Sequence, residues 1–441
     1  MSHSFEGSPT PAVVVNANNI SALTTIRALG RQNIPVIAVF GRGALDQYAS
    51  VVRSSRFISK AHIFDESNYE TNMINCLLAV GASCPTKAVL FPASDKDMII
   101  VSDNRQQLEQ YYHLLMPSHG LLCTLLSKDL FYPFAEARGI QVPRTFPVSC
   151  WDDIVTARRG ISYPCIVKPG WRNEAWQRQY GNDKVIVVKN AVELKCTLRS
   201  LYNRFERLVV QEIVPGSERD ILCTFTYLTE ESEPLGIFTC RKIRQFPANF
   251  GNSSLVQQVN EPEVGELTVQ ISKQLGLVGY VSIEFKKDER NGTYKVIEIT
   301  PCRFNRQTGL ADAAGLCLPY VWYCHVLHRP VEPVVHSGRR AWVSEVNELR
   351  AFWHYWRKGE YTLAGWFSGY TDLVQYELFS KDDVLPFMML LPAPSFIGWD
   401  LFALAHQGLS GNQCSALPLL YFLRQSGPKT NRKPPLPLLL A

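Results

Sequence analysis

The segment YVSIEFKKDERNGTYKVIEIT, Tyr280 to Thr300, allows few folds. Two apolar runs rich in β-branched and aromatic residues flank Asn291-Gly292, a pair that readily takes the positive φ values of a tight turn. The segment is therefore expected to be a β-hairpin. Glu284 lies in its first strand and Glu298 in its second, equally far from Asn291. A loop with an odd number of residues sets the two directly opposite on one face. Ile283, Phe285, Ile297 and Ile299 then share the other face and mark a core. A strict two-residue turn would slip the register by one and break the pairing. Carboxylates opposed at roughly 5 Å repel. A divalent cation between them removes that cost, and magnesium takes such oxygens together with substrate phosphates. Taken alone, the hairpin is explained as well by a solvated polar face on a sheet edge.

The chain has 441 residues, too many for one small core, and calls for two to four domains or subdomains. It is 46% hydrophobic and 19% charged, an ordinary globular balance. Its net charge of +5 comes without a lysine/arginine block. That argues against nucleic acid or an anionic membrane as partner. No basic-then-apolar leader opens the chain, and no apolar run reaches the roughly 18 residues of a spanning helix. A soluble cytoplasmic protein is expected. The twelve cysteines contain no CxxC pair and give no zinc or disulfide framework, so they read as reduced core residues.

Near the N-terminus, strand Ala12–Val15, a helix from Ser21 to Leu29 and strand Ile34–Phe40 form a βαβ unit with a parallel sheet. The turn reads NANN and not GxGxxG, so no dinucleotide site is expected. Strand Ala88–Phe91 continues the pattern. Asn16, Asn18, Ser94 and Asp95 lie just beyond strand ends, where ligands of such sheets collect, but turn and cap chemistry is the stronger explanation of them. Ser127 is placed to cap a helix from Lys128 to Ala137. YPCIVKPG is a strand ending in Lys168. GELTVQISKQLGLVG is a helix bounded by Gly279. His325 and His328 are three apart on a helix without a third ligand, which reads as packing. The expected organisation is a flexible N-terminus (1–10), a βαβ domain (11–118), a two-lobed domain (119–330, dividing near 210), an aromatic-rich helical module (331–424) and a flexible tail (425–441).

Lys168 ends an apolar strand, where a lone charge wants a partner, and Lys128 begins a helix well before it in the chain. Two separated lysines and two carboxylates suit a nucleoside triphosphate with magnesium: cations for phosphate oxygens, carboxylates for metal. No GxxxxGK[ST] motif occurs, so this is not a P-loop protein.

Four segments, in order, resemble the ATP-grasp superfamily of carboxylate–amine ligases over roughly residues 10 to 330. SKDLFYPFAEARGIQVPRT looks like the segment carrying the first nucleotide lysine, here Lys128, and YPCIVKPG like the strand carrying the second, Lys168. VVQEIVPGSERDI is similar to the hinge that contacts adenine. The resemblance puts Glu212 and the Ile213 backbone at the base, and Glu218 or Asp220 near the ribose. The hairpin resembles the metal-binding element, with Glu284 and Glu298 as metal carboxylates and Arg303 as the phosphate-facing arginine. RKIRQFPANFGNSS and the loop WRNEAWQRQYGND, with Trp176, look like the subgroup related to D-aspartate ligases.

The resemblance implies an α/β fold: a Rossmann-like parallel-sheet domain, a two-lobed ATP-grasp module and a helical C-terminal extension. It implies ATP and Mg2+ as cofactors, with Mn2+ as a substitute, and small-molecule acid and amine substrates. A homodimer is compatible with it. Lys242 and Arg244 would be cations for substrate or phosphate, although a solvated strand face explains them as well. Residues 171–183 would close over the site. There are two departures. Thr300 stands where the usual Glu-x-Asn-Pro-Arg has asparagine, and one residue is added before Arg303. Thr300 remains a candidate metal ligand, weaker than an amide oxygen. Two alternatives stay open: condensation of an amino acid with a cyclohexenone through a phosphorylated enol, and a catalytically degenerate nucleotide-binding protein.

Overall fold

β1 (Ala12–Val15) is buried along its whole length because it lies at the centre of a parallel sheet, which suits its run of valines. α1 (Ile20–Arg31) leads to β2 (Val36–Arg42), β3 (Ile58–Asp65) and β4 (Ala88–Pro92). α2 (Asp95–Asp103) and β5 (Tyr112–His113) complete the domain. The strand order is β3-β2-β1-β4-β5, all pairs parallel. The computed structural model describes residues 9–43, 48–171, 174–181, 183–331, 340–360, 362–367, 370 and 373–390. Most of the expected flexible N-terminus and all of the expected tail lie outside these.

α3 (Lys128–Glu136) starts after Ser127, but the serine hydroxyl donates to the Asp129 carboxylate and does not cap the helix. A four-stranded antiparallel sheet follows, ordered β6-β9-β7-β8. It contains β6 (Thr145–Val148), β7 (Cys165–Pro169), β8 (Ile186–Val188) and β9 (Leu208–Glu212). Its core includes Val167, Leu194, Leu198 and Val210. Trp176, on α4 (Glu174–Tyr180), is fully buried in the same core. Its indole N–H donates to Asp183 O at 2.9 Å. The segment expected to close over the site is thus partly a helix built into this small lobe.

The large sheet holds β10 (Ile221–Leu228), β11 (Pro234–Phe246), β12 (Asn252–Gln258), β13 (Gly279–Lys287) and β14 (Tyr294–Pro301). Between β12 and β13, α5 (Pro262–Leu275) covers one face. It ends at Gly276, in the left-handed conformation (φ 61°), and not at the expected Gly279. Val264 and Ile271 of α5, Phe131 and Tyr132 of α3, and Ile283, Phe285, Val296 and Ile299 of the hairpin form one core.

Beyond residue 331 helices were expected, and α6 (Glu345–Arg357) is one. The chain also returns two strands to the large sheet. β15 (Arg340–Val343) pairs with β12, and β16 (Leu373–Tyr376) pairs parallel with β15. The final order is β14-β13-β10-β11-β12-β15-β16. Among the described residues no helix is long and apolar enough to cross a membrane.

Candidate active site

A cavity of about 410 Å³ lies between the small and large sheets, with Ser21 and Asp95 of the N-terminal domain and Trp342 of β15 on its wall. Glu284 and Glu298 line it from directly opposed positions on β13 and β14. The loop between Lys287 and Tyr294 has an even number of residues, which alone would misalign them. A bulge corrects the register: Phe285 pairs with Val296, Glu284 with Glu298, and Ile297 is the extra residue. Ile297 therefore leaves the core face expected for it and lines the cavity, while Val296 takes the core position. The Tyr132 hydroxyl donates to Ile297 O at 2.8 Å and holds the bulge.

Lys242 Nζ lies 2.8 Å from Glu284 Oε2. Burial would lower the Lys242 pKa, but Glu284, Cys223 and Glu298 together outweigh it and the net shift is upward. Burial likewise pushes Glu298 up, yet Lys128, Lys184, Arg303 and Lys168 together hold it below its ordinary value. Glu298 is therefore ionised at neutral pH. Lys168 is buried on β7, and its Nζ donates to Gln211 Oε1 (2.8 Å) and the Tyr132 hydroxyl (3.1 Å). Burial lowers its pKa to about 8 despite Glu298 and Glu284. Lys128 N–H donates to Gly170 O at 2.8 Å, tying the start of α3 to the turn that follows Lys168. Both expected lysines thus reach one wall.

The other end of the cavity is more apolar, with Ile166, Ile213, Val214 and Ile221. Glu212 is on this wall, but its carboxylate is engaged by Lys295 and Arg290 and accepts the Arg144 N–H at 3.0 Å. Glu218 and Asp220 are not on the wall. Glu218 accepts from Asn249 N–H (2.8 Å) and the Tyr355 hydroxyl (2.6 Å), and Asp220 accepts from Ser217 N–H (2.6 Å). Lys286 reaches the cavity instead.

Arg244 is a correction. A bulge between Lys242 and Arg244 breaks the alternation, so Lys242 and Gln245 face the cavity and Arg244 does not. Arg244 is buried on the far side, where its Nε donates to Glu348 Oε1 at 2.7 Å and its guanidinium lies 4.2 Å from the Trp366 ring centroid. Asn16 and Asn18 serve the N-terminal domain. Asn16 donates to the Tyr69 hydroxyl (2.8 Å), and Asn18 exchanges hydrogen bonds with the Gly41 backbone. Ser94 caps α2. His325 meets the Tyr227 hydroxyl at 3.2 Å, a packing role.

Sequence reasoning missed three cations on the wall: Lys184, Lys286 and Arg306. Lys184 follows the expected closing segment, and its Nζ donates to Asn252 Oδ1 of β12 at 2.7 Å. Arg306 is three residues beyond Arg303 and pairs with Glu377, from the C-terminal region. Neither partner is near in sequence, so no local pattern marks these residues.

The donor set fits magnesium with a polyphosphate. Glu284, Glu298 and the Thr300 hydroxyl are hard oxygen donors on one wall with Lys128, Lys168, Lys184, Lys242 and Arg303. Among the described residues no three histidine, cysteine or acidic side chains form a metal cluster. An ion here would complete its shell with phosphate oxygens and water, as magnesium does.

No family model matches the chain. Curated proteins do. A D-aspartate ligase of Enterococcus faecium is 21% identical over 253 residues, covering 55% of this chain and 60% of that protein. A carbamoyl phosphate synthase large chain of Methanobrevibacter smithii is 26% identical over 198 residues, covering 42% and 18%. The chain thus spans less than two thirds of the length of either relative. Among solved structures, an N5-carboxyaminoimidazole synthetase of Staphylococcus aureus complexed with ADP aligns with a TM-score of 0.58 at 12% identity, covering 76% of this chain and 82% of that one. An L-amino acid ligase of Bacillus licheniformis gives 0.56 at 12%, covering 76% and 79%. These structural matches show an ATP-grasp fold, and in sequence the chain is similar to a D-aspartate ligase and to a carbamoyl phosphate synthase large chain.

Proposed function

We propose that this protein joins a carboxylate to an amine at the cost of ATP, through an acyl phosphate, releasing ADP and phosphate. One observation carries the reading: Glu284 and Glu298 oppose each other on one wall of a cavity whose cations include Lys128, Lys168, Lys184, Lys242 and Arg303. The names of the D-aspartate ligase and L-amino acid ligase support an amino acid as a substrate, and we take it as the amine. In this reading Ile166, Ile213, Val214 and Ile221 take the base, and Lys128 and Lys168 hold the α and β phosphates. Glu284, Glu298 and the Thr300 hydroxyl hold the metal. When bound, magnesium draws charge from the phosphate oxygens and favours phosphoryl transfer. The substrate carboxylate attacks the γ-phosphorus, and Arg303 neutralises the transferring group. The amine then displaces phosphate from the acyl carbon. Positioning and charge neutralisation suffice, and no side-chain nucleophile is required. The relation of Lys242 to Glu284 also gives it a place beside the phosphoryl group. We place the protein in the cytoplasm, where ATP is abundant.

The test is thermal stability with and without Mg·ATP, on the parent and on Lys168→Ala. Saturation at a hundred times the dissociation constant should add about 2.7 kcal/mol. A shift present in the parent and lost in the variant supports the site, and ADP release is then screened against acid and amine pairs. No shift in the parent removes the proposal.

A further inference from the structure

We infer that Asp95, on the N-terminal domain, is a positioning residue that holds Arg303 off Glu298 and aimed at the phosphoryl position; this rests on the ligase reading above. The backbone supplies the first part of the argument. After β14 the ladder continues for one residue, with Cys302 N–H donating to Tyr280 O at 2.7 Å. Arg303 N–H then turns back to Pro301 O at 2.8 Å, closing a three-residue turn around Cys302. Cys302 has φ of 56°, a conformation that side-chain-bearing residues rarely adopt, and its side chain is fully buried. Strain of this kind persists only where the surroundings fix it, and it clusters at working sites. Here it reverses the chain at the end of the metal-binding strand and returns Arg303 to the cavity wall.

The side chain is then held from two directions. Arg303 Nε donates to the Asp95 carboxylate, 208 residues away in sequence. Nη1 donates to Asn305 Oδ1 at 3.0 Å, and Asn305 Nδ2 donates to Ser282 Oγ at 2.8 Å. Among the described residues no acceptor lies on Nη2. That leaves one donor face of a fixed guanidinium on the cavity wall, suited to a phosphoryl oxygen.

Asp95 is itself well placed. It is the first residue of α2, whose start is anchored by Ser94 and by buried Asp97, which accepts from the Tyr69 hydroxyl at 2.7 Å. Besides Asp95, Glu298 on the same cavity wall is a carboxylate that attracts Arg303. An Arg303–Glu298 pair would occupy a metal carboxylate and withdraw the phosphoryl contact together. Asp95 keeps the two apart.

The experiment compares MgADP with MgADP plus fluoroaluminate, a mimic of the transferring phosphoryl group, by calorimetric titration. Parent, Asp95→Asn, Asp95→Glu, Arg303→Gln and the Asp95→Asn/Arg303→Gln double variant are used, each first shown to be folded by its melting temperature. Fluoroaluminate should tighten MgADP on the parent. Asp95→Asn should lose about tenfold or more of that gain, with MgADP affinity kept and half-saturating magnesium raised. Asp95→Glu should recover part of it. The double variant should match Arg303→Gln alone, because Asp95 acts through Arg303. An Asp95→Asn protein that keeps the full gain overturns the proposal, as do losses that add in the double variant. A parent that binds MgADP without gain from fluoroaluminate overturns it while sparing the nucleotide site. A parent that binds no MgADP overturns the ligase reading itself, and this proposal with it.

Discussion

Glu284 and Glu298 occupy directly opposed positions on β13 and β14, and the bulge at Ile297 sets that register. The pair is tolerated in the free protein because Lys242 engages Glu284, and Lys128, Lys184, Arg303 and Lys168 surround Glu298. In the proposed reading, replacing Glu298 by glutamine removes a metal ligand and leaves those cations in place. The Glu298→Gln protein should therefore still bind ATP without magnesium, while losing most of the further stabilisation that magnesium adds. Melting curves with ATP, with and without magnesium, measure this. An unchanged magnesium increment would remove Glu298 from the metal site.

Lys168 predicts a pH dependence. Its folded-state pKa is about 8, below the roughly 10.4 of an unfolded lysine. Between these values the unfolded chain binds more protons, so this group makes stability rise with pH from about 8 to about 10.4. In the proposed reading nucleotide binding has the opposite sign, because the phosphate contact needs the ammonium. Affinity for Mg·ATP should fall as pH rises through about 8, and binding at pH 8 should take up about half a proton. Calorimetry in buffers of different protonation enthalpy detects that proton. Lys168→Arg keeps its charge throughout and should show no uptake and no decline in this range. Equal proton uptake in both proteins would place the titration elsewhere.

Local chemistry made much of this legible in advance. The Asn291-Gly292 hairpin, the strand ending in Lys168 and the parallel N-terminal sheet each announce themselves within about ten residues, and each is present. The bulges were not legible. An extra residue on one strand is visible only against its partner, so the sequence puts Ile297 in the core and leaves Arg244 between a site cation and a solvated strand face. The strands RAWV and LVQY were hidden for a similar reason. Four residues each, they depend on distant partners: β15 pairs with β12, more than eighty residues earlier, and β16 pairs with β15 across a sequence of helical periodicity. Asp95 was noticed for its place after β4, but its link to Arg303 joins two domains and leaves no sequence signature.

Arg244 and Glu348 predict a stability effect separate from function. Both side chains are buried, and the Tyr370 hydroxyl also donates to Glu348 at 2.9 Å. Removing one partner strands the other charge away from water, which costs about 3–5 kcal/mol. Arg244→Met should lower the melting temperature sharply and leave the stabilisation by Mg·ATP intact. The double variant Arg244→Met/Glu348→Met should recover much of the loss, because apolar side chains replace the pair in a volume already lined by Trp366. A folded Arg244→Met protein that no longer responds to Mg·ATP would return Arg244 to the site.

Lys184 offers the converse case. It is partly exposed, and its Nζ bridges from the small lobe to Asn252 at the start of β12 while it contributes to the charge around Glu298. A bridge between solvent-accessible groups contributes about 0–1 kcal/mol to folding. A cation beside a polyphosphate contributes more, because a charge-assisted hydrogen bond is worth about 1.5–3 kcal/mol. The segment before Lys184 contains a single glycine, Gly181, among residues 171–183, so few backbone groups there can approach a phosphate as closely as a glycine-rich loop allows. The lysine side chain would supply that contact. Lys184→Ala should therefore keep the parent's melting temperature in the absence of ligand to within about 1 kcal/mol of stability. Its affinity for Mg·ATP should fall by about tenfold or more. Asn252→Ala removes the bridge and keeps the cation, so it should bind Mg·ATP nearly as the parent does. Equal losses in the two variants would make the bridge, and not the charge, the contribution of Lys184.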